Sequence, residues 1–216
     1  MIFGAAEIAQ LAYFYFSTDS SYKVEAFTVD EQYVRDSIFC HLPVVPFGDI
    51  NNNFSPEEHD MFIAVSYSQL NAVRKQKYLQ AKSLGYSLAS YVSSRATVLN
   101  DGKIGDNCFI LENNTIQPFA SIGNNVTLWS GNHIGHHSSI ADHCFIASHV
   151  VVSGGVDIGQ SCFIGVNATL RDHIKVGEKC IIGAGATLLV DAEPGGVYLG
   201  FVSERSPIPS TMLKKI

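Results

Sequence analysis

Charge is sparse in this chain, and cations are the scarcer sign. Of 216 residues only 14 are Lys or Arg, against 20 Asp or Glu, giving a formal charge of −6. The basic residues are scattered and form no cluster interleaved with aromatics, so there is no electrostatic reason to expect nucleic acid or an anionic membrane as partner. No apolar run is long enough to span a bilayer, so no membrane insertion is expected, and no signal peptide is read at the start. At this length there is room for two modest domains rather than one conventional globular core.

What the chain does have is a period of six. From Val98 to Leu188 an aliphatic residue falls at every sixth position, sixteen times without a miss, and composition at 46% hydrophobic cannot supply that register. The period fits neither an amphipathic helix nor an alternating strand. It is the hexapeptide signature of a parallel β-helix, a prism whose short strands turn one aliphatic side chain each into the interior. Three strands make a coil of eighteen residues.

The residue two before each aliphatic is usually small or apolar, and strand alternation turns it inward as well. Cys108, Cys144, Cys162 and Cys180 occupy that slot on one face. A column of small interior side chains accounts for their spacing better than a metal cluster or disulfides, and reduced thiols agree with a cytoplasmic protein. Gly follows the aliphatic at seven corners, Gly105 and Gly123 among them, where a change of direction favours free φ. A solenoid can be a scaffold without activity, so the repeat alone proves no chemistry.

Residues 1–92 read as a small α/β unit. Strands are expected at Met1 to Phe3, Val24 to Val29, Met61 to Val65 and Tyr86 to Tyr91, with helices from about Glu7 to Phe16 and about Gln69 to Ser83. The alternation argues for βαβ units and a parallel, Rossmann-like sheet. The polar run from Asn51 to Ser55 reads as a loop. The Gly4 turn could offer backbone N–H groups to phosphate at the first helix, yet Gly4-Ala5-Ala6 lacks the further glycines of the dinucleotide fingerprint and fits a plain turn as well. Asp30 ends the second strand, placed either to meet a ligand at the sheet's carboxyl edge or to cap a short helix holding Tyr33.

Histidines gather on the prism. His133, His136 and His137 straddle the corner after Ile134, while His143, His149 and His173 share the hexad position of His137. Successive hexads lie on different faces, so His137, His143 and His149 cannot build a zinc site within one chain. His136 sits in a dense polar corner. A neutral imidazole there could take a proton from a nucleophilic amine or hydroxyl, or be a solvated corner residue.

The Ile2-Phe3-Gly4-Ala5 opening, the Asn132 to His136 segment, Ser153-Gly154-Gly155-Val156-Asp157-Ile158-Gly159 and the sixteen hexads together resemble the bacterial acetyltransferases of nucleotide-linked amino sugars, in the left-handed β-helix superfamily. The resemblance implies three parts: a Rossmann-like nucleotide-sugar domain (1–92), a left-handed parallel β-helix for acetyl-CoA (93–190) and a C-terminal cap and tail (191–216). It implies a homotrimer with acetyl-CoA between neighbouring prisms, direct transfer with no metal, and His136 as general base. Relatives usually follow this His with Asp or Glu, where this chain has His137. Phe145 stands where relatives often carry a His that meets the cofactor.

The same resemblance places Gly154 and Gly155 beside the thioester, where missing side chains would admit pantetheine and a backbone N–H could meet the oxyanion. Gly200 and Phe201 fall in the exit segment beside the adenine end, which also has to cover the open end of the prism. Gly4, Ala5 and Asp30 match the nucleotide-binding region. The expected reaction is N-acetylation of a nucleotide-linked amino sugar. O-acetylation of a sugar hydroxyl would use the same groove and base, a γ-type hydratase would hold zinc between prisms, and a scaffold would lack cofactor affinity.

Overall fold

The structure, a computed structural model, describes residues 1–205 and 207–212; the end of the expected tail, 213–216, lies outside the described residues. The N-terminal unit is a five-stranded sheet built from β1 (Ile2–Phe3), β2 (Phe27–Val29), β3 (Ile38–Phe39), β4 (Leu42–Pro46) and β5 (Phe62–Ile63), in the order β3-β4-β2-β1-β5. All pairings are parallel except β3 with β4. Helix α1 (Glu7–Thr18), the turn α2 (Ile50–Asn53) and helix α3 (Ala72–Ser83) complete it. The β3–β4 hairpin was not legible in the sequence. Its two turn residues, Cys40 and His41, both take left-handed backbone (φ 47° and 66°) without the Asn-Gly that usually announces such a turn.

Two expectations for the N-terminal residues need correction. Tyr86 to Tyr91 is not a fourth strand of the small sheet: Leu88 makes one parallel bridge to Met61, and Tyr91–Val92 then pairs with Phe109–Ile110, the first rung of the prism. Asn51 to Ser55 is not wholly loop, since the run begins inside α2.

From Tyr91 onward the chain winds into a parallel β-helix with a seven-, a six- and a four-stranded face. The aliphatic column fills the interior. Fourteen of its sixteen members, from Ile110 to Leu188, are buried, and Val98 and Ile104 at the opening end are partly buried. The cysteines lie inside as expected, and Cys108, Cys144 and Cys162 each donate a thiol hydrogen bond at 3.1 Å to a carbonyl of the neighbouring coil. Ile146 is fully buried between Leu128 and Ile164. Ile146→Ala should therefore cost about 2–5 kcal/mol of transfer and cavity energy, and Asp157→Ser on the outer face far less. Urea titration giving the two variants equal midpoints would refute the inward register.

The corner glycines serve a different purpose from the one expected. Gly105, Gly123, Gly135 and their equivalents do not use positive φ. A Cβ at Gly105 would lie 2.7 Å from the backbone nitrogen of Asn124, so these positions are glycine because the next coil is stacked on them. The left-handed conformation falls two residues later, at Asn107, Asn125, His137, His143, His149 and their equivalents, where Asn and His are tolerated. That backbone requirement accounts for the shared hexad position of four histidines.

The N-terminal unit packs on the seven-stranded face. Phe62 meets Phe109, and Tyr67 packs on both Phe145 and Phe163. Arg74 of α3 is buried against the same face. Its Nη1 donates to Thr127 Oγ1 and its Nη2 to the Cys144 carbonyl at 2.9 Å. Burial pulls this guanidinium down to about 10, still protonated at neutral pH.

Both corners flanking that face are engaged too. Tyr15 OH donates to Glu112 at one; at the other Asn107 Oδ1 accepts the Ile63 N–H, and its side chain continues through Asn125 to His143 Nδ1. Burial, with the Lys75 charge next, lowers His143 to about 4. An unfolded His titrates near ~6.5, so below that pH the unfolded chain takes up the proton first. The stability His143 contributes is full above that value and is lost as pH falls towards 4. His143→Asn, which suits the left-handed turn, should therefore show a smaller fall in Tm between pH 7 and pH 5 than the parent. Equal slopes would contradict the assignment.

Candidate functional site

The third corner of the prism, between the six- and four-stranded faces, carries His136. Its backbone N–H donates to Gln117 Oε1 at 2.9 Å, one coil below, and its ring lies in solvent. The two imidazoles meet through nitrogen, with His136 Nδ1 3.1 Å from His137 Nδ1 and the rings nearly perpendicular at 85°. One of the pair must donate and the other accept. With the proton on His136 Nδ1, the His136 Nε2 lone pair is left free to act as a base. The side-chain neighbour of the His136 ring nitrogen is thus a second imidazole rather than a carboxylate.

One coil further on, the same corner holds Gly154 and Gly155. A Cβ on Gly154 would fall 2.6 Å from His136 Cε1 and 2.7 Å from Nε2, so the imidazole occupies the space a side chain would fill. Gly155 takes φ 67° and donates its N–H to the His136 carbonyl at 2.8 Å. The Gly154 N–H has no acceptor among the described residues. The position that would supply a side-chain acceptor, as Gln117 does for His136, is here Gly135. The corner therefore presents a notch with a base on one wall and an unsatisfied donor beside it.

The N-terminal unit contributes a separate cavity of about 610 Å³ at the carboxyl edge of its sheet, lined by Ala5, Asp30, Tyr33, Arg35, Val44 and Lys77 among others. Gly4 adopts φ 128°, and a Cβ there would lie 2.7 Å from the Ala64 carbonyl oxygen; Gly is required by packing, and Ala5 rather than Gly4 reaches the cavity wall. Asp30 precedes the short 3₁₀ turn Glu31–Tyr33 but makes no side-chain cap. Its Oδ1 accepts from Lys77 Nζ at 2.6 Å, and that ammonium also donates to Gln80 and lies over the Phe3 and Phe47 rings. Lys77 had no signal in the sequence, since only the fold brings α3 beneath Asp30.

Not all the expected site residues come together. Phe145 is 4% exposed and lies beneath Arg74 and Tyr67 on the seven-stranded face, inside the contact between the two units. Gly200 lies against Ala184 at a corner other than that of His136, and Phe201 beyond it is exposed. The tail before them does cover the prism end: Ala192 bridges Val176, and Val197–Tyr198 adds a rung to Ile181–Ile182. Among the described residues no group of three His, Cys, Asp or Glu could hold a metal ion, and no helix is long and apolar enough to cross a membrane.

The family model described as bacterial transferase hexapeptide (six repeats) matches residues 101–135, 119–154 and 155–189. Sequence comparison with curated proteins gives no match. Among solved structures, a variant of perosamine N-acetyltransferase from Caulobacter crescentus, in complex with CoA and GDP-perosamine, superimposes with a TM-score of 0.83 at 20% identity, covering 92% of each chain. The acetyltransferase domain of PglB from Neisseria gonorrhoeae, in complex with acetyl coenzyme A, gives 0.81 at 23% identity, over 92% of this chain and 94% of that one. WeeI from Acinetobacter baumannii gives 0.79 at 17% identity, over 92% and 95%. Residues 101–189 thus match a bacterial transferase hexapeptide model, and the whole chain has the fold of these solved structures, a small α/β unit on a left-handed parallel β-helix.

Proposed function

We propose that this protein transfers the acetyl group of acetyl-CoA to the amine of a nucleotide-linked amino sugar. The observation that carries the reading is the notch at His136 and Gly154, which sets a base with a free ring nitrogen beside a backbone N–H with no partner. The sugar amine attacks the thioester carbonyl carbon and a C–N bond forms. The carbonyl oxygen, taking up negative charge, is met by the Gly154 N–H, and the amine proton passes to His136 Nε2. The C–S bond then breaks, and the imidazolium returns its proton to the departing thiolate. No buried cysteine is placed to act as nucleophile.

The cavity at Ala5, Asp30 and Lys77 suits the nucleotide. It has cations for the diphosphate in Arg35 and Lys77, and an open aromatic rim at Tyr33, 63% exposed. This cavity belongs to the unit that covers the seven-stranded face, whereas His136 stands at the corner opposite that face. One chain's cavity is thus best served by another chain's His136. A closed ring of three satisfies that need, with acetyl-CoA lying between prisms and the notch, Gly200 and Phe201 along its path. The complexes of the similar proteins with CoA, acetyl coenzyme A and GDP-perosamine support the same chemistry. The test is a panel of UDP-, dTDP- and GDP-linked amino and hydroxy sugars incubated with acetyl-CoA, with products weighed by mass spectrometry. An acetyl gain on amino sugars alone is expected; acetylation of hydroxy sugars alone would replace N- by O-transfer, and no product from any would overturn the reading.

A further inference from the structure

Along the prism corners the left-handed turn position is filled by Gly or by small or polar residues, mostly Asn and His, with a single exception: Phe119, at φ 65°. A bulky aromatic gains nothing from that backbone, which disfavours residues without a short polar side chain. Nor does it gain burial, because Phe119 is 59% exposed. Its neighbour supplies the reason. The Phe119 ring lies 4.7 Å from the His137 imidazole at an interplanar angle of 36°, one coil below it, and His137 Nδ1 in turn lies 3.1 Å from His136 Nδ1.

We propose that Phe119 is a positioning residue for the His136–His137 pair, holding the His137 ring so that its Nδ1 accepts from His136 Nδ1–H and leaves His136 Nε2 as the base. The inference rests on the acetyl-transfer reading above for its catalytic consequence, though not for its geometry. When His136 takes up the substrate's proton, its bond to His137 becomes charge-assisted and shortens. An aromatic face beside the pair favours the same cation. Phe119 and His137 together thus stand where a carboxylate after His136 would otherwise do this work.

The test compares Phe119→Asn and Phe119→Tyr with the parent. Asn suits the turn, so F119N should keep or raise Tm and keep the oligomer mass, while kcat falls roughly tenfold, within what a general-base contact supplies. KM for nucleotide sugar and for acetyl-CoA should stay near the parent's, and F119Y should recover most of the rate. Long-range ¹H–¹⁵N spectra of the histidine side chains, recorded without substrate, should show His136 held as the Nδ1–H tautomer in the parent and mixed in F119N. Parental kcat and unchanged tautomer signals in F119N would overturn the proposal. So would a joint loss of Tm or oligomer mass with kcat, which would make Phe119 a structural or subunit contact. If the parent itself transfers no acetyl group, the functional reading fails and the tautomer comparison alone decides this one.

Discussion

His136→Ala should lower kcat/KM for sugar acetylation by about 10²–10⁴-fold, the contribution of a well-placed general base, while leaving Tm and acetyl-CoA affinity close to the parent's. The fold survives because the imidazole stands outside the aliphatic column, and the anchor to the coil below is the backbone N–H of residue 136 bonded to Gln117, which Ala retains. Acetyl-CoA affinity should survive because the proposed path holds pantetheine chiefly by backbone and apolar contacts rather than by the His136 ring. His137→Ala should cost less, since His137 reaches the reaction only through its contact with His136 Nδ1. An amine near neutrality is already partly uncharged, so the loss should lie nearer the lower figure than it would for a hydroxyl acceptor, which relies more heavily on the base. The measurement is kcat/KM against pH for both variants. Near-normal turnover with an unchanged profile in H136A would remove His136 from the mechanism.

Gly154→Ala should do nearly as much harm without touching a titratable group. Gly154 does not use left-handed backbone, so Ala is tolerated by the main chain, and the atoms its Cβ would meet belong to the His136 ring, which can swing away. The methyl group therefore displaces the base and fills the notch beside the free N–H. A misplacement of that size costs on the order of 10²-fold in rate, with Tm unchanged. Gly155→Ala is a different experiment, because φ 67° makes it a backbone-strain variant whose stability should fall as well. Parental kcat in G154A would mean that His136 does not work from the position seen here.

Much of this was legible in the sequence because the β-helix writes its geometry at short range. The period of six dictated the inward column, and the polar corner around His136 stood out against it. The αL turns were also written there, as an Asn or His three residues after about half of the aliphatics, but they looked like a histidine puzzle until the backbone explained them. A further signal lies in the outward strand positions. These include Tyr91, Phe109, Phe145 and Phe163 on one face, with Thr127 and Ile181 in the same column, but Thr97, Thr115, His133, Val151 and Thr169 on another, and Ser121, Ser139, Asp157 and Lys175 on the third. Aromatics eighteen residues apart marked the face that the N-terminal unit would cover, and with it the burial of Phe145. Arg74 and Lys77 could not be read, because Thr127, Cys144 and Asp30 lie at least 47 residues from them in sequence and only the packing of α3 brings them together.

The central claim is that the site is assembled from two chains, one giving the cavity and the next giving His136. Co-expressing His136→Ala with an Asp30→Ala, Lys77→Ala cavity variant, each inactive alone, tests it directly once native mass spectrometry has shown that mixed oligomers form. In a closed ring with random mixing, one site in four joins an intact cavity to an intact base, so about a quarter of the parental activity should return. Mixed oligomers no more active than either variant alone would place cavity and base in the same chain and contradict the account.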